Sequence, residues 1–285
     1  MASITPGQWL PGLQNENPEE ENSVPREMPI LFLGHGSPMN AIEENQFVRK
    51  FRSVAQNLPK PKAILCISAH YYTRGTKFTA MERPKTIHDF GGFPQELYQV
   101  QYPAPGLPSL AQKSVQLLSP FKSELDANWG LDHGAWSVLK HFFPKADIPV
   151  VMMSLDYTKS TQEHYTLAQE LKELRKQGVL IVGSGNLIHN LGLIDFKNFN
   201  KPNYGFDWAQ ESYSILKAAI SEKDHKKLIR YDQLNKSVQL AIPSPDHYLP
   251  LIYILALQNK NEQAQFFNEE FVAGSLNMAS VMFGV

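Results

Sequence analysis

The segment Ala63-Ile-Leu-Cys-Ile-Ser-Ala-His-Tyr-Tyr72 sets the expected fold of this chain. Its first five residues are small or aliphatic and carry no charge, which is typical of a strand buried on both faces of a sheet. The segment then becomes polar and presents His70, so a candidate functional side chain follows directly on a buried strand. Cys66 lies inside the apolar part, where a buried inert thiol is favoured over a reactive nucleophile.

Three further apolar runs have the same character, and helical patterns lie between them. The predicted strands cover residues 29–33, 63–68, 149–154 and 179–183, and the predicted helices cover residues 45–57, 108–118, 136–143, 161–176, 208–222 and 246–257. Strands that alternate with helices indicate an α/β fold, with a central, mostly parallel mixed sheet and helices on both faces. Residues 266–283 are expected to add one or two strands at an edge.

The expected domain organisation is one catalytic domain, residues 28–285, preceded by an extension, residues 1–27. The extension is rich in Asn, Glu and Pro and contains the acidic run Glu19-Glu20-Glu21, a composition typical of a flexible segment. No stretch of domain-separating linker composition follows residue 28, which favours a single domain.

The composition excludes several classes of protein. Hydrophobic residues make up 42% and charged residues 19% of the 285 residues, which is typical of a globular protein. A formal net charge of −1 gives no sign of a nucleic-acid or anionic membrane partner, and the apolar runs are too short to span a membrane. The single cysteine excludes an internal disulfide and an all-cysteine zinc site. We expect a cytoplasmic protein, since no secretory signal pattern precedes the domain.

Histidines are concentrated at the ends of the predicted strands. His35, His70 and His189 each come just past the carboxyl end of one strand. Because the carboxyl ends of parallel strands share one edge of a sheet, residues far apart in sequence become neighbours there. His133, in a glycine-containing loop before a helix, and His247, at the start of a helix, have similar surroundings.

A cluster of imidazoles without thiols suits Zn, Fe, Cu or Ni. A single histidine after a strand is more often a hydrogen-bonded structural residue than a ligand, but three strand-end histidines together favour a metal site. The remaining histidines are expected to be structural: His141, His164 and His225 in or beside helices, and His88, which could also line the site from a loop.

Other catalytic motifs are missing from the sequence. The run Gly183-Ser-Gly185 lacks the full Gly-x-Ser-x-Gly spacing of a nucleophile elbow. The run Gly34-His-Gly-Ser37 lacks the Gly-Lys-Ser/Thr ending of a phosphate-binding loop, and no dinucleotide-binding glycine pattern follows the first strand.

Six short motifs follow one another along the chain. They are Leu33-Gly-His-Gly-Ser-Pro-Met39, Ser68-Ala-His70, Thr86-Ile-His-Asp-Phe-Gly-Gly-Phe-Pro94, Tyr102-Pro-Ala-Pro-Gly106, Gly130-Leu-Asp-His-Gly134 and Asp246-His-Tyr-Leu-Pro250. Together they resemble the 4,5-DOPA extradiol dioxygenase family, within the LigB-type (class III) extradiol ring-cleaving dioxygenases. The resemblance runs from about Met28 to the C-terminus and leaves the N-terminal extension outside.

The resemblance implies one divalent metal per chain, Fe(II) or Zn(II), at the edge of the sheet. It implies His35, His70 and His247 as metal ligands. It also implies His189 as an acid/base residue that could touch the metal, and His133 as a second catalytic histidine. Typical extradiol enzymes hold Fe(II) with two histidines and one carboxylate, whereas the third position here is a histidine. An all-imidazole site carries less negative charge than a site with a carboxylate. The sequence therefore leaves open whether the metal is Fe(II) or Zn(II).

The implied reaction is the ring opening of a catechol-type, DOPA-like substrate, with both atoms of O2 in the product. The alternatives are a zinc-dependent hydrolase on the same scaffold and a non-catalytic relative that binds metal and catechol. The expected partners are the small aromatic substrate and O2, and the expected assembly is a monomer or a small homo-oligomer. The aromatic residues that could pack on the substrate ring, or belong to the core, are Tyr71, Phe90, Phe93 and Trp136.

Overall fold

A computed structural model of the chain describes residues 27–285, whose centre is an eight-stranded sheet. The strands are β1 Ile30–Gly34, β2 Ala63–Thr73, β3 Lys77–Thr79, β4 Glu124–Asp126, β5 Val150–Asp156, β6 Val179–Gly185, β7 Gln265–Phe267, β8 Phe271–Val272, β9 Leu276–Asn277 and β10 Ser280–Phe283. Their order in the large sheet is β4-β3-β5-β2-β6-β1-β10-β7, and β8 pairs with β9 separately.

The four central strands run parallel. Cys66 of β2 pairs with Met152 of β5 on one side and with Val182 of β6 on the other, and β1 pairs with β6 in the same direction. Antiparallel pairing of β10 with β1 and of β3 with β5 makes the sheet mixed. The prediction of a single α/β domain with a mostly parallel mixed sheet is confirmed.

Helices cover both faces of this sheet. They are α1 Gln46–Ala55, α2 Gln95–Tyr98, α3 Pro108–Leu117, α4 His133–Phe142, α5 Thr161–Gln169, α6 Glu173–Lys176, α7 Asp207–Ser221, α8 His225–Ile229, α9 Lys236–Ala241 and α10 Leu249–Leu257. Alternate side chains of β1 point to opposite faces. Leu31 and Leu33 belong to a core with α1 and α4, while Ile30 and Phe32 belong to a core with α5, α7 and α10.

Three helices differ from their predicted bounds by three residues or more, and one of them, α10, begins at Leu249 rather than at residue 246. Helix α4 begins at His133 rather than at residue 136, because the Asp132 side chain accepts from the backbone N–H of Ala135 and caps it. The predicted helix over residues 161–176 is two helices. Between them, Leu171 N–H donates to Ala168 O, a 3-10-type bond that tightens the chain.

Strand β2 is longer than predicted and irregular. It continues through His70 to Thr73, and its register against β5 shifts between Ile67 and Tyr72. The prediction that His70 comes just past the end of this strand is wrong. His70 lies inside an irregular stretch of β2. Such irregularities redirect side chains and are frequent beside active sites.

The first and last strands of the described residues, β1 and β10, pair with each other. β10 pairs with β1 and β7 lies at the edge, in agreement with the strands expected over residues 266–283. Apart from Glu27, the extension at residues 1–27 lies outside the described residues, so its flexibility stays a prediction. None of the helices within residues 27–285 has the length and apolar character needed to cross a bilayer.

Candidate metal centre

Five histidines converge where β1, β2 and β6 end. The ring centroid of His35 lies 5.0 Å from that of His70, 5.7 Å from that of His133 and 5.2 Å from that of His247. The His70 ring lies 3.9 Å from His133 and 5.0 Å from His247. The His189 ring stacks on His247 at 3.5 Å. Every histidine that the sequence singled out as a ligand or catalytic residue therefore belongs to one cluster.

The spacing of the ring nitrogens fits one divalent metal. Nε2 of His35 lies 3.2 Å from Nε2 of His70, and ligand atoms of His35, His70 and His133 all lie within 4.8 Å of one another. Two imidazole nitrogens that share a metal at about 2.0–2.1 Å are themselves separated by about 3 Å. Imidazole donors suit both iron and zinc.

A hydroxyl fixes the tautomer of His35. Ser184 Oγ donates to the carbonyl oxygen of Gly134 at 2.5 Å and lies 3.0 Å from His35 Nδ1. Since the hydroxyl proton is already donated, Ser184 accepts the N–H of Nδ1. The lone pair of His35 is thereby left on Nε2, the atom that faces His70.

Asp246 orients His247 in the same way. Asp246 Oδ2 lies 2.7 Å from His247 Nδ1, and Ser244 Oγ donates to Oδ1 at 2.5 Å. Burial would raise the pKa of Asp246, but the hydrogen bond and charge of His247 outweigh it and hold that pKa well below its usual range. The carboxylate therefore accepts the Nδ1 proton and leaves Nε2 of His247 free for a metal.

Asp89 faces two histidines at once. Its Oδ2 lies 3.0 Å from His133 Nδ1 and 3.5 Å from His70 Nδ1, and its Oδ1 accepts the backbone N–H of His133 at 2.8 Å. The His133 ring nitrogen is not aligned for a hydrogen bond, so this contact is an ion-pair distance only. Burial opposes ionisation of Asp89, yet the interactions with His133 lower its pKa.

The ring of His189 is held differently from the others. Its backbone N–H donates to Ala241 O at 2.9 Å, while no hydrogen bond within residues 27–285 engages either ring nitrogen. Burial, reinforced by nearby His247, lowers the pKa of His189 to about 3. This ring is therefore neutral near pH 7, and its nitrogen lone pair is not used by any group of the described residues.

Burial also keeps the rings of His35 and His70 neutral. Desolvation, together with the neighbouring histidines, lowers the pKa of His35 well below its usual value and that of His70 to about 2. A metal competes with protons for the same lone pairs, so neutral rings favour metal binding at neutral pH.

Two glycines permit the close packing of the cluster. A Cβ on Gly185 would lie 2.1 Å from the carbonyl oxygen of His247, and a Cβ on Gly134 would lie 2.6 Å from Ser68 Oγ and 2.9 Å from His70 Cδ2. Only glycine fits at these positions without displacing a histidine.

The cluster lines a cavity of about 420 Å³. Two of the four aromatic residues considered for the substrate ring, Phe90 and Phe93, also line it. Tyr71 instead stacks on Trp129 at 4.9 Å, and the Trp136 indole donates to Ile87 O at 2.8 Å. Tyr71 and Trp136 are buried and belong to the core.

The other four histidines lie outside the cluster and have partners of their own. His88 Nε2 lies 2.9 Å from Val100 O, and His141 Nε2 lies 2.7 Å from Asn40 O. His164 and His225 are paired with tyrosine hydroxyls. His88 does not line the cavity, although it belongs to a loop near it.

Sequence reasoning missed two orienting residues and one part of the cavity wall. Ser184 sits between two glycines at the end of a buried strand, a signal that could have identified it. Asp89 follows His88 in one of the six motifs, but nothing in the sequence distinguishes its carboxylate as a partner of the cluster. The apolar loop at residues 191–199, which contributes Leu191 and Phe196 to the cavity, carried no recognised signal.

Comparison with known proteins gives a consistent result. The family model described as "Catalytic LigB subunit of aromatic ring-opening dioxygenase" matches residues 29–284. A protein named 4,5-DOPA dioxygenase extradiol from Escherichia coli (strain K12) is 44% identical over 261 residues, which cover 90% of this chain and 95% of that protein. A protein of the same name from Beta vulgaris is 36% identical over 260 residues, which cover 89% of this chain and 95% of that protein.

A solved structure agrees with these sequence matches. The crystal structure of an uncharacterised protein from Escherichia coli K12 superposes with a TM-score of 0.78 at 39% sequence identity, and covers 90% of this chain and 99% of that chain.

Proposed function

The chain belongs to the LigB family of aromatic ring-opening dioxygenases, and we propose that it opens a catechol ring at one divalent metal held by the histidine cluster. As a member of this family it is an oxidoreductase, an extradiol ring-cleaving dioxygenase. The observation that carries the proposed site is the 3.2 Å separation between Nε2 of His35 and Nε2 of His70.

We propose His35, His70 and His247 as the protein ligands, with His189, whose ring stacks on that of His247, as a candidate fourth. Ser184 and Asp246 support this set, because each engages the Nδ1 atom of its histidine and leaves Nε2 available to a metal. We propose Fe(II) as the working metal, with Zn(II) as a second metal that the all-imidazole donor set can hold.

When bound, the metal would act as a Lewis acid that lowers the pKa of a catechol hydroxyl, and it would activate O2. His189 would take the hydroxyl proton and return it later, since no hydrogen bond among residues 27–285 engages its ring nitrogens. His133, held near Asp89, is a second group that can donate or accept a proton in the cavity. Both oxygen atoms of O2 end in the ring-opened product, and no external reductant is consumed.

The substrate proposed for this chain is a catechol with a side chain on the ring, as in DOPA. A cavity of about 420 Å³ lies within the range of small-molecule sites and accommodates one substituted ring. Phe90 and Phe93 provide aromatic faces against which such a ring can pack. The names of the relatives from Escherichia coli and Beta vulgaris support a DOPA-like catechol.

Anaerobic reconstitution with Fe(II), followed by an oxygen-electrode screen of catechols, tests the proposed function. We expect oxygen uptake that needs both Fe(II) and a catechol, together with a yellow ring-fission product. His189→Ala should lose most of this uptake while it keeps its metal. A fully loaded protein that consumes no oxygen with any catechol would contradict the proposal. Zinc-dependent ester hydrolysis without oxygen uptake would instead support the hydrolase.

A further inference from the structure

A second cavity, of about 310 Å³, adjoins the metal centre. It shares four lining residues with the first cavity, namely Gly36, Ser37, Phe199 and Leu276. Gly36 and Ser37 directly follow the proposed ligand His35 in the chain. Since consecutive Cα atoms are about 3.8 Å apart, the shared wall begins within about 8 Å of the Cα atom of His35. A substituent on a metal-bound catechol ring can therefore reach the second cavity.

The two cavities differ in the charge of their walls. Among the described residues that line the first cavity there is no Lys, Arg, Asp or Glu. The second is lined by Lys201, Glu43 and Glu270, and we call it the polar cavity. Burying an unpaired charge is unfavourable. A substituent that carries an ammonium and a carboxylate would lack charged partners in the first cavity and find both in the polar cavity.

The charged side chains of the polar cavity have no ionic partner in the protein. No ion pair within residues 27–285 engages Lys201, Glu43 or Glu270. The Lys201 ammonium lies 4.6 Å from the ring centroid of Tyr204, a contact that positions the charge and leaves its N–H groups unused. Glu270 Oε2 accepts from the amide of Gln46 at 3.4 Å. These charges are therefore available to a ligand.

Two asparagines of the polar cavity, in contrast, are used by the fold. Asn45 Oδ1 accepts the backbone N–H groups of Phe47 and Val48, and Asn203 Oδ1 accepts that of Phe271. These bonds stabilise the start of α1 and the start of β8. The charged side chains have no such structural role, which leaves them as the groups that recognise a ligand.

The two carboxylates of the polar cavity are not equivalent. Glu270 is partly buried, whereas Glu43 is exposed. Charges interact more strongly where water is partly excluded. Glu270 is therefore the better partner for an ammonium, and Glu43 adds to the negative potential around it.

We infer that the polar cavity binds the amino-acid end of the substrate, with Lys201 paired to its carboxylate and Glu270 to its ammonium. The inference rests on the proposed function, because it assumes that the catechol oxygens lie at the histidine cluster. Lys201 and Glu270 are thus specificity-determining residues outside the metal centre. They select a catechol α-amino acid over catechols that carry only one of the two charges.

Three catechols test this selection on the Fe(II)-loaded protein. L-DOPA carries both charges, dopamine lacks the carboxylate, and 3-(3,4-dihydroxyphenyl)propionic acid lacks the ammonium. We expect kcat/KM for L-DOPA to exceed that for each of the other two by about fivefold, the upper range for a partly exposed ion pair.

Two variants test the residues separately. Lys201→Gln should lower the ratio of kcat/KM for L-DOPA to that for dopamine by about fivefold, because only L-DOPA presents a carboxylate. Glu270→Gln should lower the ratio of L-DOPA to the propionic acid by about as much, because only L-DOPA presents an ammonium. Each variant should change the other ratio less. A purely structural role would not produce this crossed pattern.

Matched controls are available for both charges. Lys197 belongs to the short 3-10 turn Phe196–Asn198, and Glu222 follows α7. Both are exposed, and neither lines either cavity. Lys197→Gln and Glu222→Gln should therefore leave both ratios at their wild-type values.

The outcomes separate the inference from the proposed function. Unchanged ratios in Lys201→Gln and Glu270→Gln would overturn the inference, as would a wild type that cleaves dopamine or the propionic acid as well as L-DOPA. A ratio that falls in Glu43→Gln but not in Glu270→Gln would overturn the assignment of Glu270. If no catechol is cleaved, the proposed function fails. Dissociation constants of the three catechols, measured without oxygen on the metal-loaded protein, then decide: the crossed pattern supports the polar cavity, and equal values contradict it.

Discussion

Nε2 of His35 and Nε2 of His70 lie 3.2 Å apart, although the residues are 35 positions apart in the chain. The sheet explains this, since β1 and β2 flank β6 and run in the same direction. The backbone N–H of His35 also donates to Gly185 O at the end of β6. Because Ser184 accepts the proton of His35 Nδ1, the lone pair of His35 is on Nε2, which faces His70, and one cation would be shared by both rings.

The first prediction concerns the third ligand. We expect His247→Ala to weaken metal affinity by about a hundredfold, whereas His133→Ala keeps the metal and loses turnover. Metal content after equilibrium dialysis, measured beside oxygen uptake, separates the two roles. The opposite pattern would assign the metal to His35, His70 and His133, whose ligand atoms form a compact group.

The second prediction concerns Asp246. Asp246→Asn removes the charge that holds Nδ1 of His247, so the metal dissociation constant should rise by about 10- to 100-fold. Asp89→Asn is the comparison, because Asp89 lies nearest to His133; we expect it to lower kcat more than metal affinity. Equal metal affinity in the wild type and Asp246→Asn, measured by competition with a chelator, would remove Asp246 from the site.

The third prediction concerns Gly185. A methyl group at this position would meet the carbonyl oxygen of His247, so Gly185→Ala should lower the free energy of unfolding by about 1–3 kcal/mol and weaken metal binding. Gly91→Ala is the control, since nothing lies within 4 Å of its Cβ position. Urea denaturation of both variants measures the difference. Equal loss in both would show that contact with His247 is not the cause.

The sequence predicted the parallel core of the sheet because its strands are continuous apolar runs. It also placed His35 and His189 at strand ends, since a polar or glycine-containing segment follows each run. It missed the extension of β2 through His70, because the register shift between Ile67 and Tyr72 leaves no periodic signal. It also missed the start of α4, because Gly134 interrupts the helical pattern in the first turn.

The orienting contacts of the site could not be predicted from the sequence. Ser184, Asp89 and Asp246 matter through distances of 2.7–3.5 Å to particular ring nitrogens, which depend on how the strands are packed. The apolar loop at residues 191–199 was missed for another reason. Its side chains show neither helical nor strand periodicity, so only the cavity reveals what they share.

The fourth prediction concerns acid stability through His164, a fully buried residue whose Nδ1 lies 2.8 Å from the Tyr253 hydroxyl. Burial lowers the pKa of His164 from 6.5 to about 4. Between these values the unfolded chain binds a proton that the folded chain does not. The contribution of His164 to the free energy of unfolding is therefore fully present above pH 6.5 and is lost as the pH drops toward 4. The loss amounts to about 3 kcal/mol.

His164→Gln tests this contribution. Urea denaturation of the metal-free protein across pH 4 to 7 should show a shallower loss of stability in the variant than in the wild type. The cluster histidines titrate in both proteins and cancel in the comparison. Parallel curves for the two proteins would show that His164 does not contribute.

The most direct test of the central claim is the metal content of His35→Ala and His70→Ala after anaerobic loading with Fe(II) and desalting. His225→Ala, which removes a histidine outside the cluster, serves as the control, and circular dichroism verifies that each variant is folded. We predict one metal per chain in the wild type and in His225→Ala, and less than about a tenth of that in the other two. A folded His35→Ala or His70→Ala protein with its full complement of metal would contradict the assignment.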